Sequence, residues 1–312
     1  MNGGELLHRL RPRRALGRTS FVATRLGIGD LADRSLPLDA CVATIHHALD
    51  LGLNLIDTAP AYEDGYSEQV VGAALKGRRD GVFVIDKIDH LDRPATPQVE
   101  ESLRRLGMDG ADLFVFHGLS KLAEWERLCV EGGGMDELAD CVRAGKVRFR
   151  GISAHNPDVL LAAIESGLCD VVLFAVGPFV DARYVEQVLP LARERGVGTV
   201  CFKTFGAGKL VGDTEGYGRP LQEWPLAAQG CRGDLHRSGP VLPHLTAAEC
   251  VHYTLTCDPD VALLGMSVAG EVDAAVGAAR TFRPLSAEAM AGIRRRATEA
   301  VRGKGTCWWN PA

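Results

Sequence analysis

The sequence predicts an α/β chain whose eight parallel strands and eight helices close into a (β/α)8 (TIM) barrel, entered through a short N-terminal β-hairpin. Three observations carry the prediction. Eight short apolar runs alternate with segments of helical periodicity at about 25–35 residues per unit, and strands apolar on both faces belong to parallel sheets covered by helices. At 312 residues the chain has a length typical of such a barrel. Three consecutive apolar runs each deliver an ionisable side chain at or just past the C-terminal end, namely Asp57, Lys87 and His117, thirty residues apart. Strand C-termini are where parallel α/β proteins keep their chemistry. A doubly wound open sheet is the competitor. No Gly-x-Gly-x-x-Gly follows the first strand, however, and a closed barrel brings three successive strand ends to one mouth.

In chain order, residues 1–12 read as a loose arm, and Arg14 to Val22 as a hairpin turning at Gly17-Arg18-Thr19-Ser20. The first barrel strand ends near Gly27-Ile28-Gly29. Pro37 opens a helix with Val42, Ile45, Ala48 and Leu49 on one face. The second strand runs to Asp57, and Ser67 caps a helix burying Val70, Val71, Ala74 and Leu75. The third leads to Lys87. Thr96-Pro97 then starts a helix, cap and first turn, that stops at Leu106-Gly107. The fourth ends at His117, and the next helix covers about 135–144. The fifth strand spans 147–153, and Pro157 opens a helix ending at Gly167. The sixth spans 170–176, with a helix over 182–195, and the seventh spans 197–203. The rhythm breaks over 204–244, a long glycine- and proline-rich loop of the kind that is usually functional or mobile. Thr246 caps the next helix, the eighth strand is 261–264, and helices over 270–279 and 286–302 precede a tail, 303–312. The whole reads as one domain, with substrate-facing loops at 118–134, at 204–244 and in the tail.

Composition excludes several function classes. Hydrophobic residues make up 46% and charged ones 24% of the chain, ordinary for a globular protein and far from disorder. Net charge is −5 with no basic block, which argues against nucleic acid or an anionic membrane as partner. Nine cysteines, an odd number without a CxxC pair, point to a reducing, cytoplasmic setting rather than a disulfide framework. No apolar segment follows the arginines between Arg9 and Arg18, so neither a secretory signal nor a membrane span is expected.

Five positions after Asp57, past Pro60, stands Tyr62. A phenol titrates near pH 10, and a nearby Lys87 ammonium would favour the tyrosinate and lower that value. Asp57 would keep the lysine charged and oriented, and His117 would orient a substrate oxygen. Such a set gives or takes a proton at a carbonyl or alcohol. The chain offers no nucleophile with a base beside it and no metal-ligand spacing. No side chain supplies a hydride, so the carbon-centred half of a redox reaction needs a nicotinamide. Tyr66 reads as a pocket wall or surface group, and Trp125, Trp224 and Trp308-Trp309 either line a substrate pocket or simply pack, while Cys129, Cys141, Cys201, His46-His47 and Arg294-Arg295-Arg296 have plain packing or surface readings.

Asp57-Thr58-Ala59-Pro60-Ala61-Tyr62 with Ser67-Glu68 and Gly72 resembles one signature of the aldo-keto reductase family. Ser102-Leu103-Arg104-Arg105-Leu106-Gly107, running into Asp112 to His117, resembles the other. The resemblance runs from Leu16 to about Ala279. It implies a (β/α)8 barrel, an NADP(H) cofactor at the strand C-termini and reversible carbonyl reduction. Tyr62 would be general acid/base, Lys87 the group lowering its pKa, Asp57 the support of Lys87, and His117 the carbonyl-orienting residue. For the cofactor, the resemblance implies Ser153 with His155-Asn156 at the carboxamide, since Ala154 stands where an asparagine is usual. It puts Lys203, Phe205, Gly206 and Gly208 at the pyrophosphate, and Gly265, Met266 and Ser267 at the adenosine phosphate. Val176-Gly177 replaces a common glutamine. The basic residues usual near Met266, Val272 and Ala275 are missing, which leaves NAD(H) open. Two other readings share the barrel: a nicotinamide-nucleotide sensor without turnover, and an NAD-dependent sugar dehydrogenase. The expected partner is a small carbonyl or alcohol substrate.

Overall fold

The computed structural model describes residues 10, 12–30, 34–217, 219, 221 and 242–310. The predicted hairpin is present. Strand β1 (Arg13–Ala15) pairs antiparallel with β2 (Val22–Thr24). Eight strands follow: β3 (Leu26–Ile28), β4 (Leu55–Asp57), β5 (Phe83–Ile88), β6 (Ala111–Leu119), β7 (Val147–Ala154), β8 (Val171–Ala175), β9 (Gly198–Phe202) and β10 (Val261–Leu264). They close in sequence order, β10 pairing back onto β3, and every pairing is parallel.

Helices fill the crossovers: α1 (Leu38–Asp50), α2 (Tyr66–Leu75), α3 (Ala95–Leu106), α4 (Leu122–Leu128), α5 (Gly134–Arg143), α6 (Pro157–Glu165), α7 (Leu189–Glu194), α8 (Ala247–Cys257), α9 (Ala269–Thr281) and α10 (Ala287–Ala300). No helix among the described residues is long and apolar enough to cross a membrane.

The alternation of side chains along a strand explains why the ionisable residues meet. Leu55, Phe83, Ile85, Leu113 and Val115 join Val171, Leu173, Val200 and Leu263 in one cluster that fills the barrel. Ile56, Val84, Phe114, Phe116, Val172 and Phe174 belong to a second cluster, between strands and helices. Asp57, Lys87 and His117 share the inward parity of the first set, one step above it. Leu16 seals the opposite pole within the barrel cluster. Gly17 allows that seat: its φ is +48°, and a Cβ there would come within 2.2 Å of Gly198 N.

Three local expectations are corrected. Ser67 does not cap α2. The helix starts at Tyr66 behind Gly65 in the left-handed region, and the Thr58 hydroxyl donates to Ser67 Oγ instead (2.8 Å). Thr96 does not cap α3, which begins at Ala95 behind Pro94; its hydroxyl lies 3.5 Å from Cys141 Sγ. The stretch 118–134 is not all loop. Trp125 and Leu128 bury one side of α4, and Glu124 accepts from the Ser120 and Lys121 N–H groups at its start. Seven residues are too few for periodicity to register. Thr246 caps its helix as read, and the structure adds two caps that the sequence reading did not name: Asn156 accepts the Asp158 N–H at the start of α6, and Ser286 accepts the Ala289 N–H at the start of α10. Trp224, most of the arm at 1–12 and most of 204–244 lie outside the described residues.

Candidate active site

The mouth formed by the C-terminal ends of β4, β5 and β6 gathers the predicted side chains. Lys87 and Asp57 are almost wholly buried. The Lys87 ammonium donates to Asp57 Oδ2 and to the Thr58 carbonyl, each at 2.7 Å. Burial raises the Asp57 carboxyl above its ordinary value, and the ammonium works against that rise. Tyr62 stands on a short turn, Tyr62–Gly65, in which Glu63 and Asp64 take left-handed φ values of +50° and +52°. Its ring lies 4.4 Å from Lys87 Nζ and 5.7 Å, edge on, from the His117 ring. All four residues therefore converge on one mouth.

One electrostatic expectation is overturned. Tyr62 is not acidified in this structure: burial raises its phenol well above the ordinary value, with Asp57, Tyr217, Asp30 and Asp89 adding to the rise. The hydrogen bonds of Lys87 go to Asp57 and Thr58, so its charge is largely answered before it reaches the phenol. Among the described residues the Tyr62 hydroxyl makes no hydrogen bond.

Asp89 is a site residue that sequence reading missed. Its carboxylate accepts from His117 Nδ1 and from the Ala61 N–H (2.7 Å), tying the histidine to the turn that carries Tyr62. A carboxylate on Nδ1 selects the tautomer protonated there and turns Nε2 away from it. Burial alone would raise Asp89, but the His117 bond and charge hold it below the usual carboxylate range. The signal was available, since Asp89 follows Lys87 by two positions and shares its parity.

The cofactor-side residues divide. Ser153 is buried at the end of β7. His155 packs on Phe202 (5.3 Å), its buried Nδ1 has no partner among the described residues, and burial lowers it to about 4, leaving it neutral. Asn156 is not a substitute carboxamide ligand: it caps α6, and its amide donates to the Ser120 carbonyl. Gly177 stands where a glutamine is common because no side chain fits. A Cβ would lie 2.6 Å from the Lys203 carbonyl.

Beyond β9, Gly206–Gly208 form a tight turn whose Gly206 and Gly208 N–H groups bond within the loop. Among the described residues the buried Thr204 hydroxyl has no partner. Met266 is buried in the core, and the Ser267 N–H donates to Glu271 Oε2 (2.6 Å) at the start of α9. No cluster of His, Cys, Asp and Glu among the described residues could hold a metal ion.

The C-terminal tail, unreadable from sequence, returns to this mouth. Lys209 and Lys304 are fully buried and each donates to the other's carbonyl; Lys304 adds Gly212 O (2.9 Å) and Lys209 adds Thr306 O (2.8 Å). Trp309 is buried, its indole N–H donating to the Phe179 carbonyl (3.0 Å). The more exposed Trp308 packs on Tyr217 (5.5 Å). Tyr66 donates to the Leu36 carbonyl, and His47 pairs with Asp273 on α9 (2.8 Å), so these are fastenings of the helical layer.

Comparison with known proteins agrees with the geometry. The Aldo/keto reductase family model matches residues 25–295. Aldo-keto reductase YhdN of Bacillus subtilis is 32% identical over 221 residues, covering 64% of each chain. Aldo-keto reductase yakc [NADP(+)] of Schizosaccharomyces pombe is 28% identical over 222 residues, covering 64% of this chain and 63% of its own. The matched segment thus spans somewhat less than two thirds of these relatives. The holo form of an aldo-keto reductase from Bacillus halodurans superposes with a TM-score of 0.68 at 25% identity, covering 91% of this chain and 95% of that one. With the barrel, the signatures and the family match in agreement, this chain belongs to the aldo/keto reductase family.

Proposed function

We propose that the chain catalyses reversible, nicotinamide-dependent reduction of an aldehyde or ketone, with Tyr62 as general acid/base. The observation that carries the reading is the convergence of Tyr62, Lys87, Asp57 and His117 from three successive strand ends. With its pKa raised, Tyr62 is protonated at neutral pH and holds the proton a carbonyl oxygen needs. As that proton leaves, the ammonium at 4.4 Å from the ring favours the tyrosinate. Asp57 fixes Lys87 in place, and His117, held by Asp89, turns its Nε2 to the same oxygen. A Tyr62→Phe variant should lose several orders of magnitude in turnover while binding cofactor normally; near-wild-type activity would sink the assignment.

A nicotinamide nucleotide, when bound, supplies the hydride that no side chain can. The mouth fits one: His155 Nδ1 and Thr204 Oγ1 are buried polar atoms without partners among the described residues. Ser153 and His155 would take the carboxamide. The turn from Lys203 through Phe205, Gly206 and Gly208 would take the phosphates, and Gly265, the Met266 backbone and Ser267 the adenosine end. NADP(H) is supported by the family and by the NADP(+) named for the fission-yeast relative. Glu271 favours a second reading, NAD(H), since a carboxylate beside Ser267 repels a 2′-phosphate and can accept from a ribose hydroxyl. Fluorescence titration with both reduced cofactors decides between them. If neither binds, the enzyme reading fails; if one binds but no aldehyde turns over, the chain is a sensor. The described cysteines are all free thiols, which supports a reducing, cytoplasmic setting.

A further inference from the structure

Asp89 ties three strand ends together. It follows β5 directly, and its Oδ1 accepts from Nδ1 of His117 on β6 at 2.5 Å. Its Oδ2 accepts from the Ala61 N–H, in the turn after β4, at 2.7 Å. The bond and charge of His117 hold this carboxyl below the usual range, so it is ionised and can only accept. His117 therefore carries a hydrogen on Nδ1. A neutral imidazole has one N–H and one lone pair, which leaves the lone pair on Nε2. A carbonyl oxygen also offers only lone pairs. Nε2 can donate to such an oxygen only when the ring is doubly protonated.

The charges around the ring decide whether that imidazolium has a counter-ion. Lys87 and Asp57 answer each other at 2.7 Å. Tyr62 meets His117 edge on and keeps its proton. His155, past the end of β7, is neutral, and Lys203 acts on it from the far side. Among the described residues facing the ring, Asp89 is the charge left to meet it. The His117 and Asp89 side chains are 22% and 15% exposed, so the pair keeps some water and escapes the full cost of burying two ions.

We propose that Asp89 is a positioning residue that makes His117 hold the substrate carbonyl as an imidazolium, so that this corner of the mouth turns from donor to acceptor when the ring loses its proton. The proposal rests on the reductase reading for the identity of the oxygen. The position of the hydrogen on the ring is a property of the protein alone and is tested as one.

Nitrogen NMR of the full-length protein with isotope-labelled histidine reads the tautomer directly, with His117 assigned by the signal missing from His117→Gln. With the ring neutralised by alkali, wild-type Nδ1 should carry the hydrogen and Nε2 should show a bare lone pair. Asp89→Asn should reverse this. An amide has one acceptor oxygen, which the Ala61 N–H takes, so its NH2 faces Nδ1 and the hydrogen moves to Nε2. A wild-type ring with its hydrogen on Nε2 overturns the proposal. Reduction of a simple aldehyde gives the second readout. Wild-type kcat/KM should fall by on the order of ten- to a hundredfold as rising pH removes the imidazolium proton, the scale of a charge-assisted bond. Asp89→Asn should flatten that fall, because a neutral Nε2–H donates at any pH. If Asp89→Asn lowers activity equally at every pH and leaves the fall in place, Asp89 merely braces the turn and the proposal is overturned. The expected tautomers without turnover of any aldehyde would count against the reductase reading and leave the His117–Asp89 assignment standing.

Discussion

Asp57 and Lys87 form a fully buried ion pair whose partners are hard to replace singly. The lysine has a second acceptor in the Thr58 carbonyl, whereas Asp57 Oδ1 has no donor among the described residues. Removing one member of such a pair leaves an uncompensated charge in the interior, at a cost of about 3–5 kcal/mol. Asp57→Asn should therefore lower the urea midpoint as well as activity. A variant that unfolds like the wild type would mean the lysine finds its counter-charge elsewhere. Asp89 illustrates a different residue-scale role. By holding both His117 and Ala61 it couples the orientation of the imidazole to the position of the Tyr62 turn, so it acts on the oxygen-binding corner without facing the oxygen itself.

At the scale of elements, the loop after β9 and the C-terminal tail behave as one unit. Lys209 and Lys304 hand their ammonium groups to each other's backbone, and Trp309 fills the space beneath Trp308. Burying two like charges is tolerable here because carbonyl oxygens, and Asp213 at 3.6 Å from Lys304, take up their protons and charge. Trp309→Ala empties a fully buried site, for which large-to-small core changes cost about 3–5 kcal/mol. We expect a lower unfolding midpoint together with faster amide exchange over 206–216, because the tail is what covers that turn. Unchanged exchange there would show that the turn stands by itself. The tight turn at Gly206–Gly208 has its own logic: Gly177 must lack a side chain for the Lys203 carbonyl to sit where it does.

At the scale of the whole molecule, the barrel carries a buried acid pair outside its wall. Asp86 has outward parity and is fully buried, as is Glu68 on α2; Arg105 binds Glu68 and shares itself with exposed Glu101. Two carboxyls with about one available guanidinium cannot both ionise cheaply. Burial raises Asp86 well above the ordinary range, with Glu68 adding to it. The sign follows from linkage. A carboxyl whose pKa is higher folded than unfolded stabilises the fold while protonated, fully below its unfolded value of about 3.9, and that contribution is lost as pH rises through the folded value. Wild type should accordingly lose stability relative to Asp86→Asn between pH 5 and pH 8. Melting both proteins at the two ends checks this; a constant difference would mean the pair does not hold a proton.

Much of this was legible in the residues. The eight-unit rhythm, the hairpin, the capping residue Thr246, and the gathering of Tyr62, Lys87, Asp57 and His117 all follow from local properties of the chain: periodicities of 2 and 3.6, turn residues and helix starts. Parity also located Asp89, had it been applied two positions further. Short α4 escaped because about two turns carry too few apolar positions to show a period.

What only the tertiary structure decided is of another kind. The sign of the shift at Tyr62 depends on how much water the closed mouth excludes and on which partners answer Lys87 first. The aromatic rings around the Lys203 ammonium come from residues 202, 217, 308 and 309, and nothing in their spacing relates the tail to the end of β9. Chain-local pattern fixes which face of an element is apolar. Desolvation and the meeting of distant segments are sums over everything packed nearby, and they come into being only when the barrel closes.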